Sequence, residues 1–307
     1  MFKENFPLHT VTSYKIGGPA RYFFEAKSPE ELKRALEEAG KKNLEFFVLG
    51  GGTNLLIDDE GFSGLVLKPA IDFIESSGEE ISVGAGALMS DLVDFSTGHG
   101  LSGLEWAGGL PGTVGGAVRG NAGAFGGEIK DIVKKVKSID TKTLREIERE
   151  FPECDFDYRS SVFKNRRNGE IITSAVFRLK KGNPEEIGKS VNEKISYRLK
   201  RHPLEYPNAG SVFKNVDVER ISKERIGQFS HVIKTDPFPV VPAAYIISEA
   251  GLKGVSIGGA MISPKHPNFI VNILEAKSSD VKNLINLVKS EVKNKFGIEL
   301  EEEIIAT

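Results

Sequence analysis

The stretch Gly108-Gly109-Leu110-Pro111-Gly112-Thr113-Val114-Gly115-Gly116-Ala117 decides how this chain is read, together with Gly50-Gly51-Gly52-Thr53-Asn54 upstream. Both are loops that can present a row of backbone N–H groups with no side chains in the way. Twelve of the 33 glycines lie between Gly98 and Gly127. Glycine makes up about 11% of the 307 residues, against a typical ~7%, so the excess is a local one. It points to a backbone that turns sharply or closely approaches a ligand. A pyrophosphate, with charge over several oxygens, suits such a row of amides. Tight turns alone are the bland alternative.

The two familiar phosphate loops fail. A P-loop would use Gly188-Lys189-Ser190, but Asn183 occupies its first glycine position, and Glu185 and Glu186 would repel a phosphate. In a dinucleotide fingerprint, Gly84-Ala85-Gly86 is followed by Met89 where the third glycine belongs.

The remaining composition narrows the class. An apolar share of 39% and a charged share of 27% describe an ordinary globular protein of about two domains. Forty-one basic and 43 acidic residues leave a net charge of −2, so nothing global favours nucleic acid or an anionic membrane. The single Cys154 excludes an internal disulfide and an all-cysteine metal site, and it suits a reducing cytoplasm. No apolar run approaches the ~18 residues of a membrane helix, and Met1 to Pro7 lacks the core of a secretory signal. The five histidines, at 9, 99, 202, 231 and 266, are dispersed, so no metal is expected.

Strands and helices intermingle. Ser28-Pro29-Glu30-Glu31 carries an N-cap serine, a first-turn proline and a capping glutamate; Leu32, Ala35, Leu36 and Ala39 then line one face, and Gly40 can close the helix. Phe46 to Leu49 reads as a buried strand running into the triple glycine, and Ile81 to Val83 as another short strand. A helix is expected from Leu88 to Ser96. Strands at 132–139 and 144–151 flank a turn at Asp140-Thr141-Lys142-Thr143, and 171–179 is a further strand. Asn183-Pro184-Glu185-Glu186 caps a helix to about Lys200 that bridges two domains; Pro242 opens a short helix that Gly251 ends. Val281, Leu284, Val288 and Val292 stripe a last helix stopped by Gly297. The alternation is too irregular for a βα barrel, and turn-rich strand pairs favour α+β. The expected division is 1–185, with subdomains of about 1–70 and 71–185, followed by 186–307. Ser161-Val162-Phe163-Lys164-Asn165 recurs as Ser211-Val212-Phe213-Lys214-Asn215, which is too little for a repeat architecture.

Seven blocks then occur in a specific order: Thr12-Ser13-Tyr14-Lys15-Ile16-Gly17-Gly18-Pro19-Ala20; the GGGTN loop; GLPGTVGGAV with Asn121-Ala122-Gly123; Tyr158-Arg159-Ser160-Ser161; Ala209 to Asn215; His266 to Asn272; and Gly297 to Glu303. With them the chain resembles the UDP-N-acetylenolpyruvoylglucosamine reductase family, in its shorter subtype without the extra substrate-covering loop. The resemblance implies a non-covalent FAD on a p-cresol methylhydroxylase-type domain, a smaller α+β substrate domain, and NADPH as reductant. It implies a small nucleotide-sugar substrate, no nucleic-acid or membrane partner, and a cytoplasmic role in peptidoglycan precursor synthesis.

By the same resemblance, Gly50, Gly51, Gly52, Thr53, Asn54, Leu55, Gly109, Pro111, Gly112, Thr113, Gly115, Gly116, Ala117 and Gly123 hold the cofactor. Arg159 clamps a carboxylate, Ser211 donates a proton, and Glu303 assists from the last residues, which return to the site. A guanidinium suits the clamp because its planar fork matches a carboxylate; an ordinary salt bridge to Asp155 or Asp157 is the plain alternative. For Ser211 that alternative is a turn serine after Gly210, and for Glu303 a solvated acidic tail. Lys214, Asn215 and the cluster Arg198, Lys200 and Arg201 could serve the substrate diphosphate, a solvated basic face being the plain alternative, and His266 is a further candidate substrate contact. His202 and Ile305 stand where the family often has glutamine and arginine, which puts an auxiliary contact near Glu303 in doubt. Another flavoenzyme of the same fold, with flavin on His99 or Cys154, and a non-catalytic nucleotide-sugar module are the rival readings.

Overall fold

A computed structural model describes residues 2–164, 169–235 and 238–307. The chain forms two compact units: Met1–Phe6, Ala20–Gly51 and Ser63–Arg198 in one, and Pro7–Pro19, Gly52–Phe62 and Leu199–Thr307 in the other.

Among the described residues the first unit contains two larger sheets and two short strand pairs. One larger sheet has the order Lys3–Pro7, Pro19–Ala26, Phe62–Pro69, Phe46–Val48, the last pair parallel with Phe46 opposite Leu65. The helix Pro29–Lys41 covers it through Leu32, Ala35, Leu36 and Ala39, packed with Leu65 and Leu67. Its cap forms as the sequence dictates, the Ser28 hydroxyl accepting from the Glu31 N–H. The Glu31 carboxylate reaches back one residue further, to the Lys27 N–H. The Phe46 strand corrects the expectation of burial. It lies at the sheet's edge, and Phe46 is 37% exposed, because an edge strand has a neighbour on one side only.

The second sheet is antiparallel, in the order Glu146–Glu150, Val133–Asp140, Glu170–Arg178, Glu80–Gly84, Ile74–Ser77. Its inward residues, among them Val83, Val136, Ala175 and Phe177, meet Leu92, Val114 and Val118 in one apolar core. Ile187 and Val191 join the same core. The helix Pro184–Arg201 is therefore anchored to the first unit as far as Arg198, beyond the expected boundary at 185. The strand expected from Leu144 begins at Glu146, since Leu144 has a left-handed backbone (φ 59) in a turn bonded to the Asp140 carboxylate.

The second unit is built on the helix Ser278–Phe296, whose Val281, Leu284, Val288 and Val292 pack against Phe213, Phe229, Ile246 and Leu300. Gly297 ends it in the left-handed conformation (φ 66), as expected. Strands Ser256–Ile257, Ala260–Ile262 and Ile270–Asn272 form a small antiparallel sheet. Two early segments belong here, so this unit is discontinuous in sequence. Tyr14 is fully buried and its hydroxyl donates to the Ile270 carbonyl at 2.9 Å; Asn272 Nδ2 donates back to the Tyr14 carbonyl. Leu55–Leu56 pairs in parallel with Ile305–Ala306. Burial raises the Tyr14 phenol far above its ordinary range, keeping it a neutral donor.

The mixed, irregular alternation is the α+β class expected from the sequence. Among the described residues no helix is long and apolar enough to cross a membrane. The Tyr14→Phe variant should lose about 1–2 kcal/mol in urea unfolding, because the buried Ile270 carbonyl loses its donor; an unchanged midpoint would show that bond to be dispensable.

Candidate functional site

In the first unit the two glycine walls touch through their backbones. A Cβ on Gly51 would lie 2.7 Å from Gly112 Cα and 3.1 Å from the Thr113 nitrogen, and one on Gly50 would lie 3.1 Å from Thr113 Oγ1. Only glycine permits this approach. Gly109 (φ 72) and Gly112 (φ 107) hold conformations that side chains rarely adopt. Among the described residues, the N–H groups of Gly50, Gly51, Gly109, Gly112 and Thr113 meet no acceptor. Other amides of the expected cradle are already engaged: Gly115 donates to Ala85, Ala117 to the Thr113 carbonyl, and Gly116 weakly to Thr113 Oγ1. Those bonds cap the short helix Val114–Arg119. Pro111 and Gly116 are exposed.

A second cluster of this unit surrounds the turn Gly123–Gly127. Asn121 is fully buried and bonds Glu128, the Asp157 carbonyl and the Lys130 N–H. The Tyr158-Arg159-Ser160-Ser161 block docks beside it: Arg159 Nη2 donates to the Gly123 carbonyl at 3.0 Å, and Ser161 Oγ to the Arg119 carbonyl at 2.7 Å. Arg159 itself has a left-handed backbone (φ 53), as does Phe125 (φ 52). Such strain costs on the order of 1–3 kcal/mol and gathers at functional sites. Phe125 is 42% exposed, edge-to-face with Tyr197 at 5.2 Å, and the Arg198 guanidinium lies 5.2 Å from its ring centre. Arg198 Nε donates to the Gly108 carbonyl at 2.9 Å, while its Nη2 is shielded and meets no acceptor. Burial pulls this guanidinium below the ordinary arginine range.

In the second unit, five of the sequence blocks converge. The Ser13 hydroxyl bonds the Asn208 carbonyl at 2.7 Å, and the Ser13 N–H bonds the Gly52 carbonyl. The buried Asn268 clamps the Ser211 segment: its carbonyl accepts from Val212, its Oδ1 from Phe213, and its Nδ2 donates to the Phe213 carbonyl. The C-terminal strand then crosses the same segment. The Glu303 N–H donates to the Val212 carbonyl at 2.8 Å and Lys214 to the Glu301 carbonyl at 2.9 Å. Asn54 completes the junction, its Nδ2 donating to the Glu303 carbonyl and its own carbonyl accepting from Ile305. Ser211 and Glu303 are thereby brought together, with Ser211 half-buried between Ala209 and Val212.

The acidic end is tethered. Glu301 pairs with Lys214 and Arg220, and Glu302 with Lys289 at 2.9 Å. The Lys214 ammonium holds the Glu301 carboxyl below its usual range. Lys214 thus neutralises a neighbour, and Asn215 Oδ1 accepts from the Ala243 N–H. Arg201 and Lys200 are exposed at the end of their helix. His266 packs edge-on against Phe269 (4.8 Å) and His202 (5.4 Å), and its Nδ1 is buried without a partner. Burial pushes its imidazole down to about 4. The sequence echo has no structural counterpart: Val162–Lys164 is a single helical turn, Val212 lies at a bend and Phe213 bridges to Glu302, and Asn165 lies outside the described residues. Cys154 is fully buried, donates to the Glu150 carbonyl, and has its thiol pushed up to about 11, unsuited to a flavin linkage. His99 is stacked on Phe95 and bonded to its carbonyl.

Residues 20–143 match the model of an FAD binding domain, and residues 202–307 match that of the UDP-N-acetylenolpyruvoylglucosamine reductase C-terminal domain. The chain belongs to the UDP-N-acetylenolpyruvoylglucosamine reductase family. It is 39% identical over 305 residues to the reductase of Anoxybacillus flavithermus, covering 98% of this chain and 93% of that one. The reductase of Carboxydothermus hydrogenoformans is 40% identical over 304 residues, with 98% and 92% covered. The crystal structure of the Thermus caldophilus reductase superposes with a TM-score of 0.79 at 32% identity, over 100% of this chain and 99% of that one. The fold is thus a p-cresol methylhydroxylase-type FAD-binding domain with this family's C-terminal domain. The free amides at Gly50, Gly51, Gly109, Gly112 and Thr113, with the shielded Arg198, fit the diphosphate of such a cofactor.

What the sequence missed is Arg198 as an individual and Asn268 as the clamp; neither type nor spacing distinguished them from neighbours. Gly51→Ala should weaken FAD binding at least ~10-fold and cost about 1–3 kcal/mol, because the added methyl meets backbone; flavin titration and urea unfolding read the two effects. The depressed His266 value gives a pH signature. The unfolded chain, with histidine near 6.5, takes up a proton that the folded chain refuses until about 4. Stability should therefore fall as pH drops from about 6.5 to 4, by at most ~1.4 kcal/mol per pH unit. His266→Gln should flatten that slope in urea unfolding at pH 4.5, 5.5 and 7.

Proposed function

We propose that the chain is an NADPH- and FAD-dependent reductase that converts UDP-N-acetylglucosamine enolpyruvate to UDP-N-acetylmuramate, a cytoplasmic step of peptidoglycan precursor synthesis. The observation that carries this beyond family membership is the Val212–Glu303 hydrogen bond, which sets Ser211 beside the returning acidic end.

Bound FAD, held non-covalently on the Gly50–Gly51 and Gly109–Thr113 walls, supplies hydride chemistry between NADPH and the terminal vinyl carbon. The carbon next to the carboxylate then needs a proton, and the charge building on that carboxylate needs a counter-charge. Arg159 meets the second need: its guanidinium stays charged, and a planar fork on a fixed turn matches a carboxylate or enolate. Ser211 meets the first. A hydroxyl is a poor acid in water, but a carbanion-like carbon in a site shielded from water is a strong enough base to take its proton. Glu303 assists by stabilising charge or moving the proton back to the serine. Asn268 and Asn54 would position the two, by fixing the backbone that follows each. Arg201, Lys214, Asn215 and His266 remain proposed substrate contacts, with Lys214 already charge-matched to Glu301.

The wild-type protein should purify yellow, release its flavin on denaturation, and oxidise NADPH rapidly only when the enolpyruvyl substrate is present. In Ser211→Ala, flavin bleaching by NADPH should stay within about threefold of wild type. Re-oxidation by substrate should slow by about 10²–10⁴. Equal loss in both half-reactions would assign Ser211 a structural role.

A further inference from the structure

Asn121 and Glu128 are buried polar side chains that no step of the proposed reaction uses. Asn121 has a left-handed backbone (φ 43), and its amide is fully committed. Its Nδ2 donates to Glu128 Oε2 at 2.8 Å and to the Asp157 carbonyl at 3.0 Å, while its Oδ1 accepts from the Lys130 N–H at 3.0 Å. An amide of this kind has two orientations, and its neighbours select one. An ionised carboxylate only accepts, so Glu128 compels Nδ2 to face both it and Asp157. A neutral glutamine in its place would offer a donor as well as an acceptor and impose no such choice.

Asp157 opens the turn that carries Arg159. Its N–H and carbonyl pair with Ser160 at 3.1 and 3.0 Å, and Arg159 lies between them with a left-handed backbone (φ 53). Lys164 Nζ donates to the Arg159 carbonyl at 2.7 Å. Such a backbone persists where its surroundings over-determine it. Glu128 reaches the arginine from a second direction. It lies opposite Gly123 in the short strand pair Gly123–Ala124 and Gly127–Glu128, and a Cβ on Gly123 would be 2.6 Å from Glu128 Cγ. The Gly123 carbonyl in turn accepts from Arg159 Nη2 at 3.0 Å. Backbone and guanidinium of Arg159 are thus both referred to one carboxylate. Lys130 pairs with that carboxylate at 3.0 Å from a more exposed position, and the carboxylate holds the Lys130 ammonium above its ordinary range. The buried charge is thereby matched without drawing on the arginine.

We propose that Glu128, acting through Asn121 and the Gly123 strand, is a positioning residue that sets the Arg159 guanidinium for the carboxylate of the substrate. The inference rests on the proposed function, which gives Arg159 that ligand, and adds to it the group that aligns the clamp.

Holoenzymes of wild type, Glu128→Gln, Glu128→Asp, Arg159→Met and the double variant Glu128→Gln/Arg159→Met test it. Their NADPH-reduced flavin is re-oxidised anaerobically by UDP-N-acetylglucosamine enolpyruvate in a stopped-flow experiment. UDP-N-acetylglucosamine, with the same nucleotide and sugar but no carboxylate, is titrated by calorimetry. Glu128→Gln should slow re-oxidation about 10–100-fold, as misplacement at a reacting centre does. Glu128→Asp, which keeps the charge, should recover part of that rate. Affinity for UDP-N-acetylglucosamine should stay within twofold of wild type in both. In the Arg159→Met background, Glu128→Gln should slow re-oxidation by less than a further twofold, because no guanidinium is left to align. A loss of equal size in both backgrounds, a parallel loss of UDP-N-acetylglucosamine affinity, or re-oxidation of Glu128→Gln within twofold of wild type would overturn the proposal and leave Glu128 as the brace of its own turn. Glu128→Asp is put through the same cycle, so that the comparison stands even where Glu128→Gln does not retain flavin. Wild-type enzyme that the substrate does not re-oxidise, or Arg159→Met as fast as wild type, would instead overturn the proposed function or its arginine clamp.

Discussion

The close passage of Gly51 over Gly112 is the constraint on which the first unit's functional face depends. Two loops more than fifty residues apart approach until a single methyl group would collide with backbone. The strand Phe46–Val48 delivers one, and the core packed around Val114 and Val118 delivers the other. Where backbone meets backbone, five N–H groups are left without acceptors among the described residues, an arrangement that suits an anion. Arg198 completes the same wall from a helix whose apolar side is buried in the same core.

The second unit depends on a different device. Its candidate site residues sit on segments with little regular structure, where side-chain amides supplement short backbone pairings. The Asn268 side chain bonds the Phe213 N–H and carbonyl while its backbone carbonyl takes Val212, and Asn54 adds one side-chain bond to the Glu303 carbonyl while its backbone carbonyl takes Ile305. A buried amide can do this because it offers both donors and an acceptor in one plane. The outcome is a crossing of the C-terminal segment with the segment after Ser211, beside the short strand pair Leu55–Leu56 and Ile305–Ala306.

Much of this was legible in advance. The helix Pro29–Lys41 was readable from its cap and stripe, and so were the helix Ser278–Phe296 and its glycine stop. The seven ordered blocks brought the family, and with it the FAD-binding fold. Less legible was the discontinuity of the units. Tyr14 reads as one more aromatic in a polar stretch; only its buried bond to Ile270 shows why an early segment joins the C-terminal core. Phe46 was misread for a related reason, since a short apolar run looks the same at the edge of a sheet as at its centre.

The sequence by itself determined element types, the α+β class and the family, because periodicity, caps and motif order are local properties of the chain. The glycine excess was visible there too, as a backbone that comes close to something. Tertiary structure decided what it comes close to. It showed which amides of the glycine loops stay free and which cap a helix, and that the C-terminal acidic run pairs with the segment after Ser211. Those distinctions arise from contacts between residues tens to hundreds of positions apart. No local pattern encodes them, since the free energy of each bond depends on groups that only the fold assembles.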